Sequence, residues 1–221
     1  MANSQRPYLP AAGRDWALPL YDPIVKLLGG DSARKALLDQ VALQPGHRVL
    51  DVGCGTGTLA TLIKRLHSDV DVVGLDPDPK ALARAKRKAA RLGTSIQFDE
   101  GFGDSLPYPE ASFDHVVSSF MFHHLPTQEK EKTLREVGRV LKPRGEFHML
   151  DFEGPEDAPH GLLAHFRHSR DRMKDNSEGR VLSLFRQAGF ANVKNVGHRA
   201  ILFGLRRVAY YSASVLNASP S

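Results

Sequence analysis

The run Val49–Leu–Asp51–Val–Gly53–Cys–Gly55–Thr–Gly57 constrains this chain more than any other part of it. Arg48 to Asp51 reads as a short buried strand, and glycines at alternate positions follow at once. Glycine has no Cβ, so such a loop lets main chain approach a ligand closely. Thr58 to Leu66 has helical spacing. The unbonded N–H groups of its first turn, with their partial positive charge, would face the same ligand. A strand, a glycine loop and a helix in this order point to an α/β fold with its site at the carboxyl end of the strands.

The pattern continues on both sides. Val70 to Leu75 is a second strand, ended by Asp76–Pro–Asp78–Pro79, and Lys80 to Arg91 is a basic helix. Ser95 to Asp99, Phe113 to Ser119 and Glu146 to Leu150 read as further strands, the last entered through a Pro143–Arg–Gly145 turn. Gln128 to Leu141 is amphipathic, with Leu134, Val137, Val140 and Leu141 on one face. Ser32 to Leu43 and Val181 to Ala188 are helical, the second stopping at Gly189. Two β-rich runs, Ala191–Val196 and Ala200–Ser212, close the pattern as a hairpin. Alternating strands and helices imply parallel pairing. The expected fold is therefore α/β, a doubly wound, mostly parallel seven-stranded sheet with a C-terminal antiparallel hairpin strand. Residues 1–45 read as an N-terminal helical arm and 46–221 as the main domain, a single globular unit overall.

Composition excludes several classes. Of 221 residues, 41% are hydrophobic and 25% charged, which suits a globular chain and not a disordered or fibrous one. No apolar run approaches the roughly 18 residues of a membrane span. The first twenty residues lack the apolar segment of a secretory signal, and Cys54 is the one cysteine, so a cytoplasmic protein is expected. The net charge is +5. Much of it lies in Lys80, Arg84, Lys86, Arg87, Lys88 and Arg91, with no aromatic residue between them to stack on a base. That stretch reads as a solvated helix face rather than a nucleic-acid patch. The histidines show no metal-ligand spacing, so no metal is expected. His148, His160, His165 and His168 read as surface or pocket-wall residues.

The glycine loop has no lysine, which excludes a P-loop. A nicotinamide fingerprint would need glycine at position 58, where Thr58 stands. Asp51 would repel a diphosphate but attract an ammonium group, so the loop suits an amino-acid zwitterion. Asp76, about twenty residues on, is placed to accept hydrogen bonds from a ribose diol.

Five features in this order, namely Val49 to Gly57, Asp76, Leu106–Pro–Tyr–Pro–Glu–Ala–Ser–Phe–Asp114, Phe122–His–His–Leu125 and Val140–Leu–Lys–Pro–Arg–Gly145, resemble the class I S-adenosylmethionine-dependent methyltransferases. The nearest group is the one similar to the ubiquinone/menaquinone C-methyltransferases, which are Rossmann-like. The resemblance implies S-adenosylmethionine as cofactor and a small-molecule acceptor. It implies that Gly53, Cys54 and Gly55 hold the methionine part, Asp51 its amino group, directly or through water, Asp76 the ribose and Pro77 the adenine. Tyr21 would contact the cofactor from the arm, and Ser119 from the end of the fourth strand. The family often has Gly-Asp-Ala after strand three, with a carboxylate on the adenine amine. Here Gly101–Phe102–Gly103 stands instead, leaving Asp104 or the main chain of Phe102 and Gly103 for that task. His123 and His124 are the candidate general bases, since imidazole titrates near neutrality and their loop would face the transferred methyl. The alternatives are a methyltransferase-like binding or regulatory protein without turnover, and an RNA or protein methyltransferase. Acceptor atom and oligomeric state are not encoded in any feature of the sequence.

Overall fold

The computed structural model describes residues 29–154, 176–201 and 204–215. Tyr8, Trp16, Tyr21, His160, His165 and His168 lie outside the described residues, as does most of the expected arm.

Seven strands form one sheet in the order β3-β2-β1-β4-β5-β7-β6. They are β1 (Arg48–Val52), β2 (Asp71–Asp76), β3 (Gln97–Glu100), β4 (Phe113–Ser119), β5 (Leu141–Phe152), β6 (Ala191–Ile201) and β7 (Arg206–Ser214). The first five run parallel, and β7 is antiparallel to both β5 and β6. This is the doubly wound sheet with an antiparallel hairpin strand that the sequence pattern predicts. Strand order reverses between β1 and β4, where a crevice opens at the carboxyl ends.

Central strands are apolar on both faces because helices cover both. Val49, Val117 and Leu150 pack under α1 (Gly30–Leu38), α2 (Thr58–Leu66) and α3 (Pro79–Arg91). Leu50, Val116 and Met149 face the other way, under α4 (Thr127–Val140) and α5 (Glu178–Gln187). The Asp-Pro-Asp-Pro turn has a local cause. Asp78 caps α3, its side chain accepting from the Lys80 and Ala81 N–H groups, and Pro79 opens the first helical turn.

Three boundaries differ from expectation. β5 spans twelve residues, and the Pro143–Gly145 turn survives inside it as an irregularity. The register shifts between the Phe113–Leu141 and His115–Glu146 pairs, with Arg144 in the left-handed region at φ 67°. β6 runs unbroken through Gly197, His198 and Arg199, because those residues pair with Tyr210, Ala209 and Val208 of β7. The hairpin connection thus follows Ile201, not Val196. Helix α1 stops at Leu38, and Val41 is buried beyond it without helical structure.

His148 also departs from expectation. It is neither at the surface nor in the cavity wall. Alternation along β5 turns Glu146, His148 and Leu150 to one face, and His148 is 3% exposed inside the sheet.

Candidate active site

A cavity of about 370 Å³ occupies the crevice between the β1 and β4 ends, a size typical of small-molecule sites. Its wall includes Gly53, Cys54 and Gly55 after β1, Asp76 and Pro77 after β2, Gly101, Phe102 and Gly103 after β3, and Ser119 after β4. The structure thus collects most of the sequence-derived candidates in one place.

The glycine loop is shaped for close approach. Gly53 adopts φ 71°, and a Cβ there would overlap the Met121 side chain. Gly57 opens α2 at φ 72° and has no side chain with which to cap it. The start of the helix therefore faces the cavity, with Thr56 and Thr58 in the wall.

Two acids serve this loop from different depths. Asp76 lies in the wall. Its Oδ2 accepts from the Gly55 N–H at 2.8 Å and its Oδ1 from the Asp78 N–H at 2.9 Å. It therefore ties the β2 turn to the glycine loop. Burial pushes its pKa up to about 6, against the pull of those two donors. Asp51 is not in the wall but beneath the loop, and is 1% exposed. Its Oδ2 accepts from the Ala60 N–H at 3.2 Å, and its Oδ1 is buried with no hydrogen-bond partner. Burial raises its pKa to about 7, with Arg34 pulling the other way. Cys54 is buried, and burial drives its thiol well above the ordinary range, so it is an inert wall residue and not a nucleophile.

Sequence reasoning missed Arg34. This guanidinium is 5% exposed, lines the cavity, lies over the Phe120 ring at 5.0 Å, and donates from Nε to Ser119 Oγ at 3.3 Å. The available signal was a cation beside Ala33 and one turn before Leu37 on the apolar face of α1. Phe120 itself takes φ 58°, a strained setting for an aromatic residue directly after β4.

The two histidines, equivalent in sequence, separate in space. His124 lines the cavity, whereas His123 does not. Both belong to a single 3₁₀ turn, Phe122–His124, with ring centroids 3.9 Å apart. Asp151, at the end of β5, holds His123 twice: it accepts from His123 Nδ1 at 2.6 Å and from the His123 main-chain N–H at 3.0 Å. Burial opposes ionisation of Asp151, but the His123 charge and these donors outweigh it and hold the carboxyl below its usual range. A carboxylate only accepts, so Nδ1 of His123 carries the hydrogen. Phe102 stands in the wall where the family often has a carboxylate, and Asp104 is outside the wall.

Residues 49–145 match the model of a family described as methyltransferase domain. The demethylmenaquinone methyltransferase of Thermus thermophilus is 36% identical over 148 residues, covering 66% of this chain and 66% of that protein. The chain thus belongs to the class I S-adenosylmethionine-dependent methyltransferases. The same fold is found in the YcgJ protein of Bacillus subtilis (TM-score 0.69, 20% identity, 85% of this chain and 99% of that one). It is also found in a Haemonchus contortus phosphoethanolamine N-methyltransferase 2 in complex with S-adenosyl-L-methionine (TM-score 0.74, 16% identity, 93% of this chain and 58% of that one). S-adenosylmethionine is the cofactor of this methyltransferase. The residues present fit it: an orphaned Asp51 oxygen under a loop that admits main-chain contact, a buried Arg34, and Asp76 in the wall. Among the described residues no helix is long and apolar enough to cross a membrane.

Proposed function

We propose that this methyltransferase transfers the methyl group of S-adenosylmethionine to a small organic acceptor bound at the His124 side of the cavity. The observation that carries this reading is one cavity lined both by Arg34, Asp76 and the glycine loop, which fit the cofactor, and by Met121, His124, Leu125, Pro126 and Glu129 from the segment after β4. When bound, the cofactor supplies an electrophilic methyl on a sulfonium, so it carries the hard chemistry.

The chain's own residues bind and position. Arg34 offers its charge to the cofactor carboxylate, Asp51 draws the ammonium from beneath the loop, and Asp76 accepts from the ribose hydroxyls. Ser119 steadies Arg34. Pro77 and Phe102 pack the adenine, with main-chain groups near Gly103 taking the place of the carboxylate that the family often has there. Met121, Phe120 and Leu125 exclude water. An acceptor held in line behind the methyl gains most of its rate from positioning.

His124 is the residue that meets the acceptor and takes its proton where one must leave. His123 is a positioning residue, since Asp151 clamps both its ring and its main chain and so fixes the turn that carries His124. A small, largely apolar acceptor suits the wall. The demethylmenaquinone methyltransferases among the relatives support a quinol-like class.

Calorimetry with S-adenosylmethionine and S-adenosylhomocysteine, followed by turnover on a panel of hydroquinones, tests the reading. Binding of both cofactors is expected. His124→Asn should lower kcat at least tenfold with cofactor affinity unchanged. Failure of both cofactors to bind would remove the proposal, and full kcat in His124→Asn would remove His124 from it.

A further inference from the structure

The amino-terminal edge of the sheet, at the other end of the strands from the cavity, brings together three side chains that are far apart in sequence. His115 of β4 is register partner to Glu146 of β5, and His148 follows two residues on, on the same face. The ligand atoms of these three residues all lie within 4.8 Å of one another. Glu146 Oε2 is 3.2 Å from His148 Nε2 and 4.0 Å from His115 Nδ1. Both histidines are more than nine-tenths buried.

The hydrogen-bond pattern around His115 is that of a ligand waiting for an ion. Its Nε2 lies 3.2 Å from His47 Nδ1, and that same His47 nitrogen accepts the Gln44 N–H at 3.3 Å. His47 Nδ1 is thus the acceptor, and His115 Nε2 carries the hydrogen. The other ring nitrogen, Nδ1, then holds a bare lone pair, buried and with no hydrogen-bond partner. A histidine oriented through one nitrogen with the other left open is the usual arrangement at a metal.

We propose that His115, Glu146 and His148 bind one divalent transition-metal ion of the zinc class, which cross-links β4 to β5. Two imidazoles with one carboxylate favour such ions over magnesium or calcium, which prefer all-oxygen sets. Bonds of about 2.0–2.1 Å in a tetrahedron place donor atoms about 3.3 Å apart. The His148–Glu146 spacing already matches, and the His115–Glu146 spacing has to close from 4.0 Å. The Glu146 side chain is 43% exposed, so solvent reaches the fourth position. On binding, His148 must pass the hydrogen that Nε2 donates to Glu146 over to Nδ1, which is buried and has no other partner. None of the three residues lines the cavity, so the ion is structural and not part of methyl transfer.

The test uses the full chain dialysed against chelator and titrated with zinc chloride in the presence of a competing indicator. One equivalent is expected to bind, with cobalt(II) giving the absorption of a low-coordinate site. Melting temperature should rise by about 5–10 °C at a hundredfold excess over Kd. Glu146→Gln and His115→Asn should each weaken zinc at least tenfold. Should His115→Asn fail to fold, Glu146→Gln decides alone, because its side chain reaches solvent. His198→Asn, in a separate group with Glu153 and Glu178, should leave zinc binding unchanged. Less than one equivalent bound, equal affinity in Glu146→Gln and the parent, or loss on His198→Asn alone would each overturn the proposal.

Discussion

The two ends of the same strands solve one electrostatic problem in opposite ways. At the carboxyl end, burial pushes Asp51 up to about 7 and Asp76 up to about 6. At the amino end, burial, aided by the neighbouring His148 and His47, pushes His115 down to about 4, and burial also lowers His148. Desolvation penalises whichever form is charged, so acids rise and bases fall. The surroundings differ. The acids border a cavity and a glycine loop, where an organic cation can enter. The imidazoles sit within neighbouring strands, beside a carboxylate on the same face. The orphan atom beside the void points to a molecule, and the one beside other donors to the metal proposed above.

This contrast can be broken from either end. The largest effect is expected at Asp76. Asp76→Asn removes the charged acceptor proposed for the ribose hydroxyls and should weaken S-adenosylhomocysteine about a hundredfold in calorimetry. Unchanged affinity would mean that the cofactor does not use the β2 turn. Next comes Gly53→Ala, whose new methyl overlaps Met121 in a backbone setting hostile to it. It should cost about 1–3 kcal/mol in denaturant unfolding and lower cofactor affinity as well. Restoration by adding Met121→Ala would identify the overlap as the cause.

The effect of pH is smaller and its sign is set by the raised acids. Their stabilising contribution to the free protein is complete below the ordinary carboxylate pKa near 4 and is lost as pH rises through 6 and 7. A cationic cofactor selects the ionised forms. Its affinity should therefore rise with pH between about 5 and 7, by about tenfold over the whole interval, with proton release visible across buffers of different ionisation heat. Asp51→Asn should flatten the upper part of that rise. The smallest effect is expected at the amino end, where Lys142 pairs with Asp114 at 2.8 Å on a partly exposed edge. Lys142→Ala should cost less than about 1 kcal/mol, and that cost should shrink in high salt. A larger loss would show that the β5 irregularity depends on this pair.

Much of the fold was legible because its periodicity is local. The bounds of α2 and β4 follow from residue spacing, and Asp78 with Pro79 marks the start of α3. Two of the misread boundaries share a cause. Gly197 and the Pro143–Gly145 segment look like breaks locally, but Gly197 itself pairs with Tyr210 of β7, and Leu141 and Glu146 pair with β4 on either side of the turn. Along the cavity wall, the glycines, Asp76, Pro77 and Phe102 were legible because each directly follows a strand in the chain.

The sequence by itself determined the α/β order, the glycine loop and the acid after the second strand, since these depend on neighbours within a few residues. Only the tertiary structure decided which of two adjacent histidines borders the cavity, that Arg34 enters it from a helix before the first strand, and that Asp51 works from beneath the loop. It also decided that His115, Glu146 and His148 meet. The physical reason is that burial and long-range pairing are properties of the sheet as a whole. They set which side chain loses water and which partner it finds, and no local spacing carries that information.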